Sequence, residues 1–288
     1  MARAKKSAKG KKLSLAELPS TAEASAPIDG AAFLAHARPV LASLAKDLLA
    51  RANESALAHS VLRERWRKDK EAGTTADAFP IYLAGFVDQV AASWLLSCVF
   101  ARTLEDRGLC DKSRLAGPGA ADSLASFRRL APYLNERDYL YFVFGELAAY
   151  PALGQVFDRD HALLWSLGPS AEAARELLGL FTAGGSDAPH YRFGQSDTRL
   201  LGDLYQDLNE DVRKRFVLLQ TPRFVEAFIL ERTLEPAIER FGLDEVSVFD
   251  PTCGSGHFLL GAYARLIDHR RRREPARDAR ELAEQEVA

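Results

Sequence analysis

The chain has 288 residues, 47% of them hydrophobic and 27% charged, with a formal net charge of −2. Those proportions are those of a globular protein with one large domain or two ordinary ones, and they give no global argument for nucleic-acid binding. The charge is unevenly placed: residues 1–12 carry six basic groups (Arg3, Lys5, Lys6, Lys9, Lys11 and Lys12), which leaves −8 on the remainder.

Residues 1–30 hold few large apolar side chains and many Ala, Ser, Pro and Lys. Too little surface can be buried there to offset the entropy of ordering, so the segment reads as a disordered basic tail. Its basic start leads into a polar stretch, unlike a secretory signal. Cys98, Cys110 and Cys253 have no metal-ligand spacing, and three scattered cysteines suit a cytoplasmic location.

Residues 31–197 read as a helical domain. Phe33, Leu34, Val40, Leu41, Leu44, Leu48 and Leu49 recur at helical steps. The most apolar stretch, Ile81 to Phe100, carries Asp88 and Gln89 at its middle. A charge there is costly in a bilayer, so the stretch reads as a core helix and the protein as having no membrane partner. Gly108 marks a helix end, and Gly117-Pro118-Gly119 a break. Tyr139–Tyr150 and Ala171–Phe181 predict two more helices, and Gly184-Gly185-Ser186-Asp187 a loop. Arg102, Glu105 and Asp106 read as an ion-pair network capping a buried helix, with a functional cluster as the alternative.

From residue 198 to 288 the pattern changes. Leu200, Leu201, Leu204 and Leu208 predict an amphipathic helix. Another begins at Thr221, a candidate N-cap, with Pro222 suited to the first helical position, and it keeps phase to Gly242. Val246, Val248 and Phe249 predict a short strand. Leu259, Leu260, Tyr263, Leu266 and Ile267 predict a following helix, with Arg270 to Arg273 as its solvated end, where positive charge suits the helix dipole; contact with DNA phosphates is the alternative.

Between that strand and that helix lies Asp250-Pro251-Thr252-Cys253-Gly254-Ser255-Gly256-His257-Phe258. Gly254 and Gly256 let the chain turn sharply and let a ligand approach the backbone. The first N–H groups of the next helix are free donors. Asp250 stands at the strand's carboxyl end, where open parallel sheets bind ligands. An acid there favours a cationic or hydroxylated group over a bare polyphosphate. Cys253 reads as the small residue the turn requires and not a nucleophile, and His257 as a solvent-facing residue.

The string Asp250 to Phe258 resembles the S-adenosylmethionine-binding motif I of adenine-N6 DNA methyltransferases. Thr221-Pro222-Arg223-Phe224-Val225 resembles their motif X, which helps to hold the same cofactor. The order of the two is similar to the gamma-type arrangement of single-chain restriction–modification enzymes. Leu201-Gly202-Asp203-Leu204-Tyr205 and Arg102 to Leu109 look like features of the helical region of such enzymes. The wording from Leu204 to Pro222 looks most like methyltransferases of the PglX type, from BREX and phage-growth-limitation defence systems.

The resemblance implies a mainly α fold in which a helical domain is followed by the first strand-turn-helix of a Rossmann-like methyltransferase domain. It implies S-adenosylmethionine as cofactor, held by Thr221, Pro222, Asp250, Pro251, Thr252, Cys253, Gly254, Ser255, Gly256 and Phe258. It implies double-stranded DNA as partner of the full-length protein, and other defence-system proteins as further partners. One departure is large. The family's catalytic motif is Asn/Asp/Ser-Pro-Pro-Tyr/Phe, which holds a flipped adenine, and the chain has no Pro-Pro dipeptide. The sequence therefore reads as an amino-terminal fragment with cofactor motifs, no catalytic residue and no methylation activity of its own. Two other readings stay open: a methyltransferase for RNA or protein, and a non-enzymatic helical scaffold with a remnant cofactor loop.

Overall fold

A computed structural model describes residues 30–115, 118–150, 153–182, 191–193, 204, 221–254, 256–278 and 281. The fold is mainly α. Among the described residues a first body holds the helices α1 (Gly30–Glu54), α2 (Ala56–Glu71), α3 (Phe79–Asp106), α4 (Pro118–Leu130), α5 (Glu136–Ala148) and α6 (Ala171–Thr182), with a 3₁₀ turn at Leu163–Trp165. Two more, α7 (Arg223–Phe241) and α8 (His257–Arg273), pair with each other.

Helix α3 is the spine of the body, and α1, α2, α5, α6 and the 3₁₀ turn all touch it. Leu83, Phe86, Val87, Val90, Trp94, Leu95, Cys98 and Val99 are buried along it at three- and four-residue steps. It is the one helix among the described residues long and apolar enough to cross a membrane. Its apolar side chains instead face Phe33, Leu44, Leu48, Leu140, Phe144 and Leu177 in a single core, as read from the sequence. Trp94 sits fully buried there, and its indole N–H donates to the Leu167 carbonyl at 3.1 Å. A buried indole needs such an acceptor.

Local signals set the helix ends. After Asp106 the chain turns through Gly108 at φ +66°. The N–H of Gly108 donates to Glu105 and that of Leu109 to Leu104, at 3.0 and 2.9 Å. This paired arrangement uses up helix-end carbonyls and needs the left-handed glycine. Helix α5 starts with a reciprocal cap in which the Asn135 side chain accepts from Arg137 N–H and Asp138 accepts from Asn135 N–H.

The acidic end of α3 works as an anchor for neighbouring loops. Arg102 is 2% exposed. It donates to Asp106 at 3.0 Å and to the carbonyls of Phe181 and Tyr191 at 3.3 and 3.0 Å. Asp106 accepts from Phe193 N–H at 2.7 Å, and Glu105 accepts from the N–H groups of Arg114 and Leu115. The cluster is structural: it ties residues 114–115 and 191–193 to the spine.

Several expectations change. No strand forms among the described residues: 246–250 belongs to no helix and joins no ladder. A strand exists only through its partner's hydrogen bonds, and Val248 and Phe249 stay exposed. Helix α7 begins at Arg223, with Pro222 and not Thr221 at the N-cap position and no side-chain cap. The backbone of Pro222, at ψ 145°, is still extended, so the helix starts one residue later than the Thr-Pro pattern suggests. Most of the helix around Leu200–Leu208 lies outside the described residues, as do the tail at 1–29 and the loop at 184–187. Leu204 is helical and buried in the first core.

Candidate functional site

The site is built on the α7–α8 pair. Contacts between the two helices climb in the same sense along both. A Cβ at Gly261 would meet Glu226, Arg265 donates to the Ala227 carbonyl at 3.2 Å and to Glu235 at 2.8 Å, and His269 Nε2 lies 2.7 Å from Glu235. The helices therefore run parallel. Their amino ends, Thr221-Pro222 and the glycine loop, lie at one end of the pair. A core of Leu230, Leu234, Leu243, Ala262 and Leu266 holds them together, with Ile238, Val246 and Phe258 against it.

The approach of the helices is close because residue 261 is glycine. A Cβ there would stand 2.1 Å from Glu226 Oε1 and 2.9 Å from Leu230 Cδ1, distances no real side chain tolerates. Glu226 is thereby buried at the helix contact, 7% exposed. The sequence reading missed both residues. A glycine inside a helical pattern is a signal of close packing, whereas a glutamate among helical polar positions carries none.

The loop takes its shape from short-range bonds. Asp250 Oδ1 accepts from the N–H and the hydroxyl of Thr252, at 3.0 and 3.3 Å, a local turn typical of aspartate. Its other oxygen has no partner among the described residues. Gly254 and Gly256 both have positive φ, +53° and +81°, a region that costs a Cβ-bearing residue about 1–2 kcal/mol. Gly256 is the N-cap of α8, and its N–H donates to the Cys253 carbonyl at 2.7 Å. Pro251, Thr252, Cys253 and Gly254 are exposed, and Phe258 is half-buried. Ser255 lies outside the described residues.

Two readings of this region are corrected. His257 does not face solvent; it is buried. As the first residue of α8 it lies one turn before Gly261, on the stripe that packs against α7. The run Arg270 to Arg273 is not uniformly solvated either. Arg270 extends the buried stripe of Ala262 and Leu266 and ion-pairs with Asp244, and Arg273 reaches the same carboxylate at 2.6 Å. Hydrogen bonds from Arg270 and Arg273 hold the Asp244 carboxyl below its ordinary range. Glu235 is lowered as well, first by the Arg265 hydrogen bond and, against its partial burial, by His269. These pairs clamp the far end of the two helices and leave the loop end open. Among the described residues no group of three His, Cys, Asp or Glu side chains could hold a metal ion.

Over 233 residues, 75% of the chain, the sequence is 37% identical to the adenine-specific methyltransferase PglX of Streptomyces coelicolor. The chain is a relative of the PglX-type adenine-specific methyltransferases. It spans 19% of the length of that protein. No protein-family model matches the chain, and no solved structure matches it.

Proposed function

We propose that the chain carries the cofactor-loop part of an adenine-N6 DNA methyltransferase of the PglX type, acting in phage defence. In this reading S-adenosylmethionine sits at the amino end of the α7–α8 pair. Gly254 and Gly256 let its methionine part approach the backbone, and the first turn of α8 supplies N–H donors. The free oxygen of Asp250 accepts a hydrogen bond from the cofactor's ammonium or hydroxyl groups. Thr221 and Pro222 border the same end. The relationship to a protein named an adenine-specific methyltransferase carries the proposal, and the parallel helices supply its geometry.

The partners in this reading are double-stranded DNA, engaged by the full-length protein, and other defence-system proteins. The 288 residues contain no Asn/Asp/Ser-Pro-Pro-Tyr/Phe string, so by themselves they transfer no methyl group.

Equilibrium dialysis of the chain against labelled S-adenosylmethionine tests the cofactor reading. Saturable binding is expected, weakened about tenfold or more in Asp250→Ala, which removes one charge-assisted hydrogen bond. Absence of saturable binding sinks it. Incubation with labelled cofactor and duplex DNA is expected to leave the DNA unlabelled, and methyl transfer would overturn the inactivity.

A further inference from the structure

A second cluster lies in the helical body and shares no residue with the glycine loop. Tyr141 of α5 and Trp165 of the 3₁₀ turn stack with ring centroids 5.0 Å apart and planes 12° from parallel. The guanidinium of Arg159 lies 4.6 Å from the Trp165 centroid. These three side chains line an open recess of about 400 Å³, within the size range of small-molecule sites. Gly168 backs it. A Cβ there would come 2.6 Å from the Tyr141 hydroxyl and 3.1 Å from Arg137 Cδ, and the Gly168 carbonyl accepts from Arg51 at 2.8 Å.

The donors at this recess are unevenly used. The Trp165 indole N–H is committed to the Phe157 carbonyl at 3.1 Å. The Tyr141 hydroxyl and the Arg159 guanidinium make no hydrogen bond or ion pair to the described residues. Among the described residues Arg51 has a carbonyl partner but no carboxylate. The nearby acids are mostly engaged: Asp138 by Arg137 and the α5 cap, Asp47 by Ser170 N–H, and Asp158 by His161. Asp160 is exposed and makes no ion pair with the cluster. Burial raises the Tyr141 phenol above its ordinary value, so at neutral pH it keeps its proton and donates.

Two open donors, flat aromatic surface and arginine charge without carboxylate partners describe a ligand with an oxyanion joined to a planar ring. We propose that this recess binds a nucleotide unit. Its phosphate takes the N–H donors of Arg159 and the O–H of Tyr141, with Arg51 adding positive potential. Its base takes the Trp165 ring face that the Arg159 guanidinium covers in this structure, as Arg159 turns from the ring to the phosphate. The unit comes from a free nucleotide or from a single strand, and the two sources share this chemistry. The site is independent of the cofactor reading.

The test uses the whole chain, titrated with adenosine monophosphate, with a short single-stranded oligonucleotide and with inorganic phosphate, and read by tryptophan fluorescence and equilibrium dialysis. The first two probes are expected to bind. Arg159→Ala is expected to weaken them about tenfold, and Tyr141→Phe about threefold to tenfold. Both variants should keep the thermal midpoint, since one removes an exposed head and the other a single hydroxyl. Tighter binding of the oligonucleotide assigns the site to strands, and equal or weaker binding assigns it to free nucleotides. Binding of neither probe up to millimolar concentration, affinity untouched by both variants, or phosphate alone binding as well as the mononucleotide would each overturn the proposal.

Discussion

The helical body and the α7–α8 pair place their apolar residues differently. In the body Trp94, Tyr139, Phe144, Leu95 and Leu140 are fully enclosed. In the pair, Phe224 is 76% exposed, Phe228 57% and Phe249 86%, while five residues form the core. The number of neighbours explains the contrast. Among the described residues the spine helix α3 is touched by four other helices, whereas α7 has α8 on one side. A helix with one neighbour can bury one stripe, so the pair relies more on its ion pairs at Asp244 and Glu235.

Truncations of the two cores should separate them most strongly. Trp94→Ala removes a fully buried ring and the hydrogen bond to Leu167, and is expected to cost the body about 3–5 kcal/mol. Leu266→Ala sits at the edge of the small core and should cost about 2 kcal/mol, the low end for such truncations. Urea unfolding followed by circular dichroism reads both. Equal losses would show that the two cores are equally tight and would remove the contrast. Arg102→Met comes next, at about 3 kcal/mol, because it leaves Asp106 and two carbonyls without their donor. The same experiment is expected to raise amide exchange at Phe193, whose N–H depends on Asp106. Unchanged exchange would mean that Arg102 does not hold Asp106 in place.

Much of the body was legible because helical periodicity in a multiply surrounded helix is redundant. The spine, the Gly108 stop and the helices at Glu136–Ala148 and Ala171–Thr182 all follow from apolar spacing and end signals. In the pair, the apolar residues of α7 read as an amphipathic helix, and nothing in their spacing says that Phe224 and Phe228 remain uncovered. His257 was misread because its burial depends on Gly261 allowing α7 close, a fact of packing and not of local pattern. The Arg270 misreading has the same origin: its partner, Asp244, is 26 residues away. The Tyr141–Trp165–Arg159 recess was invisible, since its residues come from separate elements with no motif between them. The glycine loop was legible as a turn, because positive φ at Gly254 and Gly256 is what a Gly-x-Gly spacing provides for. The strand before it was not, since alternation in the sequence cannot supply a partner.

One substitution, glycine to alanine, should have opposite signs in the two regions. At Gly261 the added methyl meets Glu226 and Leu230, so the helices must part, at about 1–3 kcal/mol. At Gly145, inside α5, a Cβ meets nothing within 4 Å, and the change should stabilise the body by about 0.5–1 kcal/mol through the lower entropy of the unfolded chain. The measurement is the shift in unfolding midpoint for each variant. A neutral Gly261→Ala would show that the helix contact yields easily and that the loop end is not held by it.

The smallest effect concerns acid. Glu136 is buried in the body between the guanidiniums of Arg128 and Arg175, at 2.5 and 3.0 Å. Burial opposes its charge, but the Arg175 and Arg128 hydrogen bonds and the backbone N–H at the start of α5 outweigh it, and its carboxyl is lowered. A lowered folded-state value means the stabilisation is complete above the ordinary glutamate value of 4.5 and fades as pH falls through the folded value. Glu136→Gln should therefore cost about 1 kcal/mol at neutral pH, a modest figure because both arginines are largely exposed and rehydrate. The difference from the unchanged protein should close on acidification below 4.5. The α7–α8 carboxylates Asp244 and Glu235 are lowered too, so acid weakens both regions. In the body the loss passes through the buried Glu136, and a Glu136→Gln curve parallel to the parent's at every pH would refute that assignment.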